Sequence, residues 1–193
     1  MSDEYALRYT TPPSEVLRRL GEETQATQAE AQMSVGPLEG AFLRFLVAMK
    51  RPRFVLELGA FTGWSTLELA SALPPGATFV ACDVNPETTA IAKRYAGELG
   101  VADRIDFRLG DAFETIESLA GPFDLVFLDA WKRDYIEYYE AVLPKLALDG
   151  VILADNTLSD SVRPFNEHVL NDDRVECVLV PIRDGVTLIR RRP

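Results

Sequence analysis

A glycine-containing loop at the end of an apolar segment carries the clearest chemical signal in this chain. Residues 55–65 read VLELGAFTGWS, with glycines at positions 59 and 63 and an acid at Glu57. A second apolar segment, residues 77–84, ends with an acid at Asp83. Glycines let a cofactor approach the backbone, and a later acid can accept the ribose hydroxyls. The pattern is typical of a nucleoside-cofactor site on an open parallel sheet.

The details of this loop narrow the class of cofactor. Its glycines lack the GxGxxG spacing, which disfavours a dinucleotide with a pyrophosphate. Glu57 would repel a phosphate and favours a cofactor that carries an amine or a positive charge. S-adenosylmethionine has a ribose, an amine and a sulfonium, and it has no phosphate, so it fits. Thr62 and Ser65 are candidate donors to this cofactor, although Ser65 is equally suited to cap the following helix.

Further polar residues follow other apolar segments. The positions are Gly110, Asp111, Asp129, Asp155 and Asn156. Any one of these acids has an alternative explanation as a helix N-cap. Asp129, Asp155 and Asn156 would share one sheet edge and offer three hard oxygen donors, with no His or Cys among them. This donor set favours Mg²⁺ over Zn²⁺.

Three side chains near these acids or along the last helix are candidates for a functional role. Lys132 follows Asp129 on the same loop; beside a dication its pKa would fall, which would suit a general base, although a solvated lysine is the ordinary alternative. Trp131 would either form one wall of a pocket for a flat cofactor or substrate, or have a buried packing role. His168, the single histidine, lies in a polar stretch and is predicted at the surface.

Periodicity predicts an α/β fold in one domain spanning residues 1–193. Residues 1–50 form an N-terminal helical arm, with a loose segment over 1–13 and helices over 14–27 and 38–49, separated by a break at Gly36-Pro37. Residues 51–193 alternate strands and helices as a Rossmann-like, doubly wound, mostly parallel seven-stranded sheet with helices on both faces. Strands are predicted over 54–59, 77–84, 105–110, 123–130 and 150–156. A final hairpin over 175–182 and 187–192 turns at 183–185 and reverses the last strand.

Composition excludes several classes of partner. The 193 residues carry a formal net charge of −10, which disfavours nucleic acid and anionic membranes. No apolar run is long enough to span a bilayer, and the N-terminus does not resemble a signal peptide. Cys82 and Cys177 are expected to be buried free thiols in a reducing compartment. The expected location is the cytoplasm.

Five segments together resemble one enzyme family. They read MSVGPLEG at residues 33–40, VLELGAFTGWS at 55–65, ACDVNPE at 81–87, VFLDAWKRDY at 126–135 and VILADN at 151–156. This combination, from about residue 14 to the C-terminus, is similar to the cation-dependent class I O-methyltransferases, in both the catechol and the caffeoyl-CoA branches. The resemblance implies S-adenosylmethionine as cofactor, Mg²⁺ or another divalent cation, and the methyltransferase sheet with its reversed last strand.

The resemblance also implies roles for individual residues. It places the cofactor against Met33, Val35, Glu57, Gly59, Phe61, Ser65, Asp83, Val84, Asp111, Ala112, Asp129 and Trp131. It makes Asp129, Asp155 and Asn156 the metal ligands and Lys132, with Asp129, the catalytic pair. The ion would hold two vicinal oxygens of the acceptor while Lys132 takes or shares the proton of the attacking hydroxyl.

Departures from the family pattern concern the acceptor. Trp131 stands where the bacterial caffeoyl-CoA type has an aspartate, and Ala130 stands where the catechol type often has a histidine. The C-terminal region has no match for the acid that holds the second hydroxyl in catechol enzymes. A coenzyme A thioester would want a basic rim, whereas this chain is acidic, so a free catechol-like aromatic diol is the expected small-molecule substrate.

The sequence therefore predicts an O-methyltransferase that acts on a vicinal dihydroxy aromatic compound. There are two alternative functions: a non-catalytic S-adenosylmethionine-binding protein, and a methyltransferase acting on another acceptor such as nucleic acid or protein. The complete set of Asp129, Lys132, Asp155 and Asn156 argues against the first, and the net charge argues against the second. The broad apolar face of the second helix, with Phe42, Phe45, Leu46 and Met49, predicts a homodimer.

Overall fold

A seven-stranded sheet forms the centre of the molecule. The structure is a computed structural model that describes residues 3–192. The strands lie in the order β3-β2-β1-β4-β5-β7-β6, with β1 to β5 parallel and β7 antiparallel to both of its neighbours. The strands are β1 (Phe54–Leu58), β2 (Thr78–Asp83), β3 (Ile105–Leu109), β4 (Phe123–Leu128), β5 (Leu146–Ala154), β6 (Val175–Val180) and β7 (Val186–Arg191).

Helices cover both faces of this sheet. They are α1 (Asp3–Arg8), α2 (Glu15–Thr27), α3 (Gly36–Lys50), α4 (Trp64–Ala72), α5 (Pro86–Leu99), α6 (Ala112–Ser118), α7 (Tyr135–Val142) and α8 (Arg163–Leu170). One apolar core lies against α2 to α5 and the other against α6 to α8. The predicted doubly wound, mostly parallel sheet with a reversed last strand is confirmed.

The central strands are apolar on both sides because each side faces a core. In β1, Leu56 and Leu58 belong to the core under α6 to α8, whereas Val55 belongs to the core under α2 to α5. In β4, Val126 and Phe127 divide between the two cores in the same way. Side chains of a strand alternate between its faces, so a strand buried on both faces must be apolar throughout.

The prediction of a loose arm over residues 1–13 was wrong for residues 3–8. Residues 3–8 form α1; Met1 and Ser2 lie outside the described residues. Two acids, Asp3 and Glu4, stand in the first turn and Arg8 stands in the last, an arrangement that favours the helix dipole. The polar composition that suggested a loop therefore supports a short helix.

Two predicted boundaries also shift. Gly36-Pro37 begins α3 rather than breaking the chain before it, because proline is well suited to the first turn of a helix. Strand β5 starts earlier than predicted, at Leu146, and ends at Ala154, so that Asp155 and Asn156 lie just beyond it. Asn156 has a φ of 59°, which turns the chain out of the sheet.

Both cysteines are free, as predicted, but only Cys82 is fully buried; Cys177 on the outer hairpin is partly exposed. Within residues 3–192, none of the helices is long and apolar enough to cross a membrane.

Candidate active site

The polar residues singled out from the sequence meet at one edge of the sheet. Leu58 of β1 pairs with Leu128 of β4, and Leu128 pairs with Ala154 of β5. The residues that follow these three are Gly59, Asp129 and Asp155, and they therefore lie side by side. The chain runs from β1 to β2 on one side of β1, whereas β4 lies on the other side of β1. The strand order therefore reverses at this point, which is where open α/β sheets bind ligands.

Gly59 is required by its close contact with the next strand. Its φ is 91°, a conformation that glycine adopts readily, and its N–H donates to the Cys82 carbonyl at 3.0 Å. A Cβ atom on residue 59 would lie 2.3 Å from the backbone oxygen of Asp129. Only glycine lets β1 and β4 end this close together, so the glycine shapes the floor of the site.

Glu57 is a fully buried acid with one unused oxygen. Its Oε2 accepts the Thr66 hydroxyl at 2.6 Å, whereas its Oε1 has no hydrogen-bond partner among the described residues. Burial raises the pKa of Glu57 to about 8, although the nearby Ser65 and Thr66 hydroxyls oppose the shift. A buried carboxyl with a free oxygen suits an amine-bearing cofactor, because a positive charge would satisfy it.

Asp83 is anchored by the glycine loop. Its Oδ2 accepts the Phe61 N–H at 2.7 Å, and its Oδ1 accepts the Asn85 N–H at 2.8 Å. Phe61 has a φ of 48°, which aims its N–H at this carboxylate. Each carboxylate oxygen has two acceptor positions, so Asp83 retains capacity for the two hydroxyls of a ribose.

The remaining predicted cofactor residues divide by exposure. Val84, Trp131 and Met33 are about half exposed or more, at 56%, 61% and 49%, and they are available to a ligand. Val35 and Ala112 are buried and offer at most their backbone. Asp111 caps α6 by accepting the Phe113 N–H at 2.7 Å, so the alternative explanation of this acid as an N-cap is confirmed.

The alternative roles of Thr62 and Ser65 are also resolved. Thr62 is fully buried, and its hydroxyl is 3.0 Å from that of Thr24 in α2, so it joins the arm to the glycine loop. Gly63, and not Ser65, is the N-cap of α4. Ser65 instead lies close enough to Glu57 to lower the pKa of its carboxyl.

Asp129, Asp155 and Asn156 form the predicted metal-binding group. Asp155 is buried, and its Oδ2 accepts the Asn156 amide at 2.9 Å, which leaves the Asn156 amide oxygen available to an ion. Burial raises the pKa of both aspartates; at Asp129 the charge of Asp155 raises it further. Carboxylates crowded in this way would be stabilised by a divalent cation, so the donors present fit Mg²⁺.

Lys132 points at this group. Its Nζ is 2.5 Å from Asp129 Oδ1, and its side chain is about one-third exposed. Lys132 begins a short turn, Lys132–Asp134, directly after Trp131. A lysine held between a carboxylate and solvent can exchange a proton with a bound hydroxyl, which is the role predicted for it.

Two charged residues at this site were missed by the sequence reasoning. Glu39 in α3 is fully buried, and burial together with Asp155 and Asp129 raises the pKa of its carboxyl. Arg183, in the turn of the final hairpin, faces it with Nη1 at 3.5 Å from Oε2. The signal for Glu39 was present as the single acid in a mostly apolar helix, whereas nothing local marked Arg183.

His168 lies far along the chain from these residues and has a structural partner. Its Nε2 is 2.8 Å from Glu140 Oε1, and the ring is half-buried rather than fully at the surface as predicted.

Comparisons with known proteins identify the family of this chain. A family model described as O-methyltransferase matches residues 8–192. Caffeoyl-CoA O-methyltransferase 1 of Zea mays is 36% identical, with 82% of this chain and 72% of the relative covered. The SAH-bound methyltransferase PaMTH1 of Podospora anserina superposes with a TM-score of 0.91 at 26% identity, over 99% of this chain and 94% of that one.

A second solved structure has the cofactor itself. The O-methyltransferase TomG of Streptomyces achromogenes, in complex with SAM, has a TM-score of 0.89 and 26% identity, over 99% of this chain and 96% of the other. The fold, the family match and these cofactor-bound neighbours agree with the predicted nucleoside site. The chain belongs to the O-methyltransferase family and is an S-adenosylmethionine-dependent O-methyltransferase.

Proposed function

We propose that this enzyme methylates one hydroxyl of a catechol-like small molecule and that it needs a divalent cation to do so. The observation that carries the proposal is the group of Asp129, Asp155 and Asn156 on adjacent strand ends, beside Lys132. Its donors are oxygens, and its two carboxylates carry raised pKa values. An ion would supply charge stabilisation and hold two vicinal oxygens of the acceptor.

Each residue has a separate task in this reaction. Asp83 holds the ribose and Glu57 the amine of S-adenosylmethionine, which fixes the direction of the reactive methyl group. Lys132 receives or shares the proton of the attacking hydroxyl as its oxygen forms the bond to carbon. The carbon–sulfur bond breaks in the same step. Because the reactants are held in place, positioning contributes much of the rate.

The proposed acceptor is a free vicinal diol, although the curated relative from Zea mays is named for a coenzyme A thioester. The basic C-terminal residues support a free diol because they are already engaged. Arg190 pairs with Glu176 and lies beside Val151 of β5. Arg192 donates to the Val175 carbonyl at 2.7 Å. Neither is available as a basic rim at the site.

A direct experiment combines metal removal with an acceptor series. Turnover of a simple catechol should stop in EDTA and return with Mg²⁺ or Mn²⁺. The kcat/KM values for a simple catechol, caffeic acid, caffeoyl-CoA and a monophenol, measured in the same Mg²⁺, should favour the free diols. Full activity in EDTA would contradict the cation requirement, and a clear preference for the thioester would contradict the free acceptor. Cofactor binding without turnover of any of these acceptors would favour the alternative of a non-catalytic binder.

We also propose that the protein is a homodimer through α3. Phe45 and Met49 on this helix are 63% and 68% exposed, a large apolar surface for a monomer. Light scattering should give about twice the 21.5 kDa chain mass. A 21.5 kDa particle at high concentration would contradict this assembly.

A further inference from the structure

The turn of the final hairpin contains an arginine in a conformation that favours glycine. Arg183 has a φ of 47°, and the turn closes with the Gly185 N–H donating to the Ile182 carbonyl at 2.8 Å. Non-glycine residues with positive φ are uncommon and are retained where surrounding contacts hold them. The side chain of Arg183 shows which contacts these are.

The guanidinium of Arg183 binds the segment that leads into α3. Its Nη1 donates to the Ser34 carbonyl at 2.8 Å, and its Nη2 donates to the Gln32 carbonyl at 3.4 Å. The same group faces Glu39 at 3.5 Å. The side chain is only 24% exposed, so these contacts are shielded from water.

The backbone of the same turn is fixed to the loop that follows the candidate metal ligands. The Thr157 N–H donates to the Gly185 carbonyl at 2.9 Å, and the Leu158 N–H donates to the Asp184 carbonyl at 2.8 Å. A Cβ atom at residue 185 would lie 2.6 Å from the Leu158 side chain. The turn is therefore anchored on the loop after Asn156, and Arg183 reaches from this anchor to residues 32–34.

Besides Arg183, two backbone hydrogen bonds of a short 3₁₀ turn hold residues 32–34: the Met33 N–H donates to the Glu30 carbonyl at 2.9 Å, and the Ser34 N–H donates to the Ala31 carbonyl at 3.2 Å. Met33 is half exposed, and the Ser34 hydroxyl oxygen is buried without a hydrogen-bond partner among residues 3–192. This segment includes Met33, one of the residues expected over the methionine part of the cofactor. The Arg183 side chain thus connects residues 32–34, which are expected to cover the cofactor site, to the loop that follows the candidate metal ligands.

We propose that Arg183 is a positioning residue that holds residues 32–34 over the cofactor site. The inference rests on the cofactor site proposed above and extends it with a residue that touches neither cofactor nor acceptor. We therefore expect the guanidinium of Arg183 to increase cofactor affinity by ordering residues 32–34. This effect should be present before any metal or acceptor binds.

The test uses Arg183→Gly, because glycine accepts the positive φ and removes the side chain without backbone strain. Calorimetry with S-adenosylhomocysteine, without metal or acceptor, should show a Kd raised about five-fold or more, the scale of one lost hydrogen bond. Hydrogen exchange of the amides of residues 32–35 should become faster in the variant. Added ethylguanidinium should restore part of the affinity in the variant and change nothing in the parent enzyme.

Two further variants separate this role from general damage to the turn. Arg183→Lys keeps the charge but cannot reach two carbonyls at once, so its Kd should lie between those of the parent and Arg183→Gly. Asp184→Asn removes only the solvent-exposed ion pair between Asp184 and Arg183 Nη2, at 3.6 Å, and should bind as the parent does because water screens such a pair. Parent-like affinity in Arg183→Gly would overturn the proposal, as would an equal loss in Asp184→Asn or a loss without faster exchange. Since no acceptor or metal is present, these outcomes do not depend on the proposed reaction.

Discussion

Two clusters of acidic residues on this molecule have opposite electrostatic character. At the candidate active site, burial raises the pKa values of Asp129, Asp155 and Glu39. In the second cluster, formed by Glu140 of α7, His168 of α8 and Asp172, hydrogen bonds from Arg174 lower the pKa values of Asp172 and Glu140. The first cluster has three largely buried carboxylates and two cationic side chains, Lys132 and Arg183, whereas in the second cluster Arg174 binds both carboxylates.

Proximity alone would select the second cluster as a metal site. Within the described part of the chain, Glu140, His168 and Asp172 are the group of His, Cys, Asp or Glu whose ligand atoms all lie within 4.8 Å of one another. Arg174 occupies this group, with Nη2 at 2.7 Å from Glu140 and 2.6 Å from Asp172. Charge balance, and not distance, therefore indicates which cluster would bind a dication.

The largest predicted contrast comes from removing one charge in each cluster. Asp155→Asn should lower kcat/KM in Mg²⁺ by about 10²-fold or more, because the ion loses a ligand. Without metal, the same change should leave the melting temperature unchanged or raise it, since a buried, repelled carboxylate disappears.

Asp172→Asn is the matched control for that variant. It should keep activity and lower stability by about 1–3 kcal/mol, because Asp172 accepts charged hydrogen bonds from Arg174 and the Tyr139 hydroxyl. Assays and thermal scans of both variants measure the contrast. Equal loss of activity in the two would contradict the division into a functional and a structural cluster.

Lys132→Ala tests the proton-transfer role within the functional cluster. The variant should lower kcat by about 10²-fold, with a smaller effect on cofactor Kd, because Lys132 is proposed to act on the acceptor hydroxyl. Steady-state kinetics and calorimetry separate the two quantities. A change confined to cofactor affinity would instead assign Lys132 to binding.

Cation binding should appear in thermal stability as well. If the active-site carboxylates hold Mg²⁺, a concentration near 100 times Kd stabilises the folded state by about 2.7 kcal/mol, which is several degrees in melting temperature. Asp155→Asn should abolish this shift and Asp172→Asn should keep it. The reverse pattern would place the ion in the cluster of Glu140, His168 and Asp172.

The smallest predicted effect concerns Arg174. Arg174→Met should cost about 1 kcal/mol, since the arginine is half exposed and water screens its ion pairs. The lowered pKa values of Asp172 and Glu140 contribute stability that is present above their unfolded values, near pH 4, and that is lost as the pH falls further. The difference between parent and variant, followed by denaturant melts, should therefore shrink from pH 7 to pH 3; a growing difference would contradict the pairing.

Local patterns in the sequence were sufficient for the sheet and for most of the candidate site. Strand burial depends on which side chains are apolar, so the central strands and the position of Gly59 could be predicted directly. Asp129 and Asp155 could be placed together because parallel strands end at a common edge. The polar N-terminal segment was misjudged because the pairing of charges with the helix dipole outweighs its loop-like composition.

The tertiary structure decided what each acid does. Asp111 follows β3 and Asp83 ends β2, yet Asp111 caps a helix and Asp83 holds the glycine loop, because only folding determines which N–H groups face each carboxylate. Glu39 and Arg183 are 144 residues apart in the chain and meet only in the folded protein. A pKa depends on burial and on neighbouring charges, and both are properties of the packed structure. The sequence alone thus determined the sheet and the donors along its edge, whereas packing decided which carboxylates are buried together.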